Sequence, residues 1–344
     1  GGFYISKRMY VCSQALNDSY YLNIVTAHEL FHAFQAAYKH GENGFVQNTP
    51  MEEIERTCKG YDKNEPPGYY KHSWFSEGTA NSLAATWQNR ETADVVNKHF
   101  NPRNLTEPLI TCTFGENYQT QDFWTFVEKT KPQSWQGIKE ILEKNDAFPI
   151  KFTTFADNKL NIFNSINGYP LHEAYARFSF DRVYEHQVKL RDGEFKASYS
   201  FEPKDWLPKL GANDMTIQQS SQKNMTLQNT GPLTVSVAKI HTESSQKGNL
   251  ILKLKPTNGS YWIKVYPERN SRGEQNTIKG AYEIKQGQEQ TVELDNFGSA
   301  DGYGSVFIVA ASGEDANPGE LTVNAEFKEI STGTGPGAIS VSVE

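Results

Sequence analysis

His28 and His32 stand four residues apart in the run HELFH, with Glu29 directly after the first histidine. On an α-helix this spacing projects both imidazoles from one face, a single turn apart, where their ring nitrogens can grip one metal ion. Zinc is the metal this chemistry points to, because it accepts imidazole ligands and keeps an open position for water in catalytic sites. Glu29 is offset around the helix from His28, so its carboxylate falls near that water without ligating the metal. There it can take the water's proton as general base, the geometry of zinc-dependent peptide hydrolysis.

A catalytic zinc usually has a third protein ligand, and two downstream patterns supply one. The metzincin pattern needs Gly and then His three and six residues past the second histidine. Those positions hold Gln35 and Tyr38, and His40 falls at the wrong spacing, which excludes that class. The other pattern places a glutamate on a following helix, and WFSEGTANSLAATW supplies Glu77, followed by Gly78 and Ala80. These small residues are expected to let the second helix pack closely against the histidine helix.

HELFH followed by WFSEGTAN resembles the gluzincin metallopeptidases, the superfamily that includes thermolysin-like proteases, aminopeptidase N-like enzymes and bacterial collagenases. The resemblance covers about residues 20–90. It implies one catalytic Zn²⁺ held by His28, His32 and Glu77, with Glu29 as the catalytic base and a peptide or protein as substrate. Asn81, four residues past Glu77 on the same helical face, is a candidate to hydrogen-bond a ligand histidine and fix its tautomer. Thermolysin-like enzymes use an aspartate for that work. A donor for the oxyanion of the attacked carbonyl is also required. Tyr118 is the leading candidate, and His72, Tyr69 and Tyr70 compete with it. No run of the G-x-M-E-N kind precedes HELFH to capture a free amine, so an endopeptidase is expected rather than an aminopeptidase.

These residues need helices to position them. One is expected from the capping cluster Asn17, Asp18 and Ser19 to Gly41, with Ile24, Val25, Phe31, Phe34 and Tyr38 recurring at helical spacing. Others are expected at about 74–89, 120–129, 134–145 and 170–186, and FYIS and MYVCS ahead of them read as strands of a small sheet. From about residue 224 the texture changes to short segments of period two at 233–240, 249–255, 261–267, 280–285, 290–295, 305–311 and 321–327, separated by turn residues. The expected fold class is α+β. A mainly helical zinc-peptidase domain with a small N-terminal β-sheet spans 1–215, and an antiparallel β-sandwich accessory domain spans 216–344.

At 344 residues and 37% hydrophobic content the chain has material for about two domains with proper cores. With 34 basic against 41 acidic residues it has no cationic excess to hold a phosphate backbone, so nucleic acid is not an expected partner. The apolar runs are too short for a transmembrane helix. Three cysteines, Cys12, Cys58 and Cys112, do not build a disulfide scaffold. The start at Gly1, Gly2 and Phe3 suggests a trimmed precursor, and an extracellular location is expected, with the C-terminal domain attaching to a surface or matrix. The segment 295–302 is acidic and glycine-rich but lacks EF-hand spacing, which leaves Ca²⁺ without support. The alternative to a peptidase is an inactive or highly selective zinc-site protein for binding or adhesion. The intact Glu29 weighs against that alternative, and the open coordination position weighs against a purely structural zinc.

Overall fold

The computed structural model describes residues 2–5, 8–11, 16–17, 19–37, 78–84, 105–106, 109, 120–130, 138, 170–185, 213–243, 247–269, 279–299, 302–313 and 319–330. The chain opens with an antiparallel pair, β1 (Gly2–Ile5) and β2 (Arg8–Val11), in register Tyr4 to Met9. Helix α1 (Ser19–Ala37) follows and packs beside this pair. A short helix α2 (78–84), α3 (Gln121–Thr130) and α4 (Leu171–Phe180) come next, and α4 runs on into a π-helical turn at Asp181–Glu185. The helix expected at 134–145 lies outside the described residues except for Ile138, which is helical and buried.

Nine further strands complete the fold: β3 (Asn213–Thr216), β4 (Ser221–Asn229), β5 (Val235–His241), β6 (Gly248–Pro256), β7 (Tyr261–Arg269), β8 (Lys279–Ile284), β9 (Gln290–Phe297), β10 (Tyr303–Ser312) and β11 (Gly319–Glu329). The seven alternating segments of the sequence form β5 to β11. Long antiparallel ladders join β5, β10, β7 and β8 into one layer and β4, β11, β6 and β9 into another. A single parallel bridge, Tyr303 to Phe297, links β10 to β9, so the two layers form one connected network.

The expected fold class is corrected by these elements. Strand takes 48% and helix 32% of the described residues, so the molecule is not mainly helical where it is described, and its sheet is nearly closed into a barrel. Nor is the sheet purely antiparallel, because β3 joins β5 in parallel register, Asn213 to Ala238. The physical reason lies in how β10 is buried. Val306, Ile308 and Ala310 point between the strand layers, where they meet Leu250, Leu252, Leu254, Val323 and Phe327. Phe307, Val309 and Ala311 point the other way and share a second core with Phe123, Trp124, Tyr175 and Phe178 of α3 and α4. The expected period of two at 305–311 is corrected here: a strand covered on both faces need not alternate, and VFIVAA is a continuous apolar run. Helices α3 and α4 therefore share this second core with the outer face of the sheet.

Aromatic edges organise that shared core. The Phe123 ring meets Trp124 at 5.4 Å and Phe178 at 5.6 Å, both edge-on, and Phe126 meets Phe178 at 5.6 Å. Rings packed this way add to their burial energy through the attraction between ring edge and ring face. Lys264 on β7 lays its ammonium 5.5 Å from the Phe180 ring and 5.6 Å from that of Tyr266, so its charge sits against the seam between α4 and the sheet. Among the described residues no helix is long and apolar enough to cross a membrane.

Candidate metal centre

On α1 the buried positions are Val25, Ala27, His28, Glu29, Phe31, His32 and Gln35, while Leu30 and Phe34 are 45% and 53% exposed. The helix thus turns its polar histidine stripe inward. The sequence pattern placed Phe34 among the core-spaced residues, and the structure reverses this. At 100° per residue Phe34 lies well around the helix from His28 and His32, so burying the histidines turns it outward.

The two imidazoles converge. His28 Nε2 and His32 Nε2 are 2.9 Å apart, with ring centroids at 4.5 Å and nearly perpendicular planes. Both rings are buried, at 7% and 6% exposure, and Glu29, which follows His28 in the chain, is 3% exposed. His32 Nδ1 lies 2.8 Å from Gln35 Oε1. With Gln35 Oε1 as the acceptor, His32 would carry its proton on Nδ1 and present its Nε2 lone pair toward His28 Nε2. Two imidazole nitrogens aimed at one point are a donor set that suits zinc. Among the described residues no group of three or more His, Cys, Asp or Glu side chains forms a metal cage.

Gln35 extends the site beyond α1. Its Nε2 donates to Thr79 Oγ1 at 3.0 Å, which ties the histidine helix to α2. Thr79 stands two residues past Glu77, the expected third ligand. Glu77 itself lies outside the described residues, as do Tyr118, His72, Tyr69 and Tyr70. Asn81 is described and half-buried on α2. The partner that holds His32 Nδ1 is Gln35, which the sequence showed only as a mismatch to the metzincin pattern. Its position one turn past His32, on the same face, is the signal that could have identified it.

Gly78 works differently from expectation, while Ala80 lies in one buried cluster with Phe31 of α1. A Cβ at Gly78 would lie 2.6 Å from Trp124 Cδ1 and collide with Thr120 Oγ1, so this glycine lets α2 approach α3. Ser82 Oγ and Thr125 Oγ1 share a hydrogen bond of 3.1 Å across the same seam, and Ala80 and Ala84 are fully buried. The Thr79 hydroxyl supplies a hydrogen bond to α1. Of the segment 295–302, residues 295–299 and 302 are described: Gly298 N donates to Tyr303 O at 2.8 Å, and Asn296 and Gly298 adopt φ of 61° and 83°.

No protein-family model matches the chain, and no curated protein matches it. Among solved structures the chain is similar to Bacillus endospore appendages, which form disulfide-linked pili, at 14% identity over 32% of this chain and 88% of that one, with a TM-score of 0.21. It is also similar to the pre-peptidase C-terminal domain of a Bacillus anthracis collagenase, at 10% identity over 34% and 94% of the two chains and a TM-score of 0.22. A third likeness is to PliG of Aeromonas hydrophila, a periplasmic inhibitor of g-type lysozyme, at 8% identity over 34% and 96% and a TM-score of 0.21.

Proposed function

We propose that this protein is a zinc-dependent peptidase, a secreted endopeptidase that hydrolyses peptide bonds. The observation that carries the reading is the buried pair of Nε2 atoms on α1, 2.9 Å apart with Glu29 beside them. His28 and His32 would hold the metal, with Glu77 as the third ligand. Zinc bound there supplies Lewis-acid polarisation of a peptide carbonyl and activates water for attack. The chain's own residues do the rest. The Glu29 carboxylate takes the proton of the attacking water and passes it to the departing amine. Burial around Glu29, His28 and His32 keeps bulk water from screening the charge that develops during attack. Tyr118 is the proposed donor to the oxyanion, and Asn81 a proposed partner of a ligand imidazole. The strand-rich C-terminal portion is proposed to attach the enzyme to an extracellular surface or matrix.

Elemental analysis for zinc, together with cleavage of an unfolded protein substrate by wild type and Glu29→Gln, tests this reading. Glu29→Gln keeps every proposed ligand and removes the base. It is expected to retain one zinc per chain and to lose about 10²–10⁴-fold in turnover. Zinc at full occupancy with no cleavage by wild type would favour a binding or adhesion protein, and no zinc in protein prepared without chelators would end the metallopeptidase reading.

A further inference from the structure

We propose that Gln35 is a positioning residue that fixes His32 in its metal-binding tautomer and couples the histidine helix to α2. The proposal rests on the zinc reading above. Three links carry it. His32 Nδ1 lies 2.8 Å from Gln35 Oε1, Gln35 Nε2 donates to Thr79 Oγ1 at 3.0 Å, and His32 Nε2 lies 2.9 Å from His28 Nε2. One amide therefore accepts from the ring and donates to the second helix, so the orientation of the ring and the placement of α2 are set together. Gln35 is itself almost fully buried, at 1% exposure, as is Thr79. Turned the other way round, the amide would donate to Nδ1 and accept from the Thr79 hydroxyl, which would move the His32 proton to Nε2; the placement with Oε1 toward Nδ1 is the one that leaves Nε2 free for a metal.

The chemistry of the amide matters as much as its place. An acceptor at Nδ1 is what leaves the Nε2 lone pair available, and groups of this kind around ligand histidines typically contribute 10–100-fold to metal affinity. Leucine at position 35 removes both ends of the link. Glutamate keeps the acceptor toward His32 and removes the donor toward Thr79. Valine at position 79 removes the hydroxyl that accepts from Gln35 and leaves the His32 bond untouched. The three variants separate tautomer control from helix coupling.

Zinc affinity of the full chain, measured by competition with a chromogenic chelator, and the His32 tautomer of the metal-free protein, read from long-range nitrogen–proton correlations of the imidazoles, test the proposal. Gln35→Leu is expected to weaken zinc binding about 10–100-fold and to shift His32 from Nδ1–H toward a mixture of tautomers. Gln35→Glu is expected to keep the Nδ1–H form and to bind zinc more tightly than Gln35→Leu. Should Gln35→Leu fail to fold, Thr79→Val carries the test, with the Nδ1–H tautomer retained and zinc bound several-fold more weakly than in wild type. Wild-type zinc affinity in a folded Gln35→Leu, or in Thr79→Val where Gln35→Leu does not fold, would overturn the proposal and leave the peptidase reading intact. A wild-type chain that binds no zinc would overturn both, even where the correlations show His32 held by Gln35.

Discussion

Replacing Gly78 by alanine tests the packing that carries α2. The added Cβ would lie 2.6 Å from Trp124 Cδ1 and 3.0 Å from its Nε1, and closer still to Thr120 Oγ1. Trp124 cannot retreat easily, since it is 1% exposed and its ring abuts Phe123 at 5.4 Å. Overpacking of this kind costs about 1–3 kcal/mol. Alanine regains up to about 1 kcal/mol of helix propensity over glycine. The clash wins, with a net loss of about 1–2 kcal/mol. For a domain of this scale that lowers the melting temperature by about 2–8 °C, readable by far-UV circular dichroism. Gly78 directly follows Glu77, so with Glu77 as the proposed third ligand, zinc affinity is expected to fall in the same variant under conditions where it stays folded. A Gly78→Ala protein that melts at or above wild type would show that α2 does not sit against Trp124 as described.

Two further predictions concern parts of the fold away from the histidines. Burial, countered only slightly by the Ser179 hydroxyl, pushes the Tyr175 phenol far above its ordinary value of 10.0, so the folded state keeps it neutral while the unfolded chain ionises it. Its contribution to stability is therefore complete below about pH 10 and is lost above it by about 1.4 kcal/mol per pH unit. Denaturant unfolding at about pH 9 and about pH 11 should show the gap between wild type and Tyr175→Phe moving by that slope, and a pH-independent gap would refute it. In the turn between β8 and β9, Gly287 has φ of +82° and Gln288 N donates to Lys285 O at 2.9 Å, with nothing within 4 Å of a Cβ added there. Gly287→Ala should lower stability by about 1–2 kcal/mol through backbone strain alone, and Gly287→Asn by less, since asparagine tolerates this conformation. Urea midpoints at unchanged slope measure both, and an alanine variant equal to wild type would overturn the strain account.

Much of the architecture was legible because its causes are local. The strands β6 and β11 alternate Leu250, Leu252, Leu254 and Val323, Ala325, Phe327 against polar neighbours, and such a pattern has no other satisfactory conformation than a strand with one covered face. Strands β3 and β4 were not legible. NDMT and SQKNMTLQN are mostly polar and exposed, with Met215 and Leu227 as their buried anchors. They become strands because β5 and β11 offer unsatisfied backbone edges, to which β3 and β4 pair along their lengths.

The candidate site divides the same way. The sequence by itself determined that His28 and His32 share a helix face with Glu29 beside them, because an i, i+4 relation depends only on the pitch of the helix. The tertiary structure alone decided that this face, and not the one bearing Leu30 and Phe34, turns inward, since both faces carry apolar residues and only the neighbouring elements choose between them. It alone brought Thr79 to Gln35, across a stretch of chain whose spacing carries no periodic signal, and it alone laid α3 and α4 on the outer face of β10. Contacts between residues distant in sequence are selected by the burial of whole surfaces, and no short pattern of residues encodes that choice.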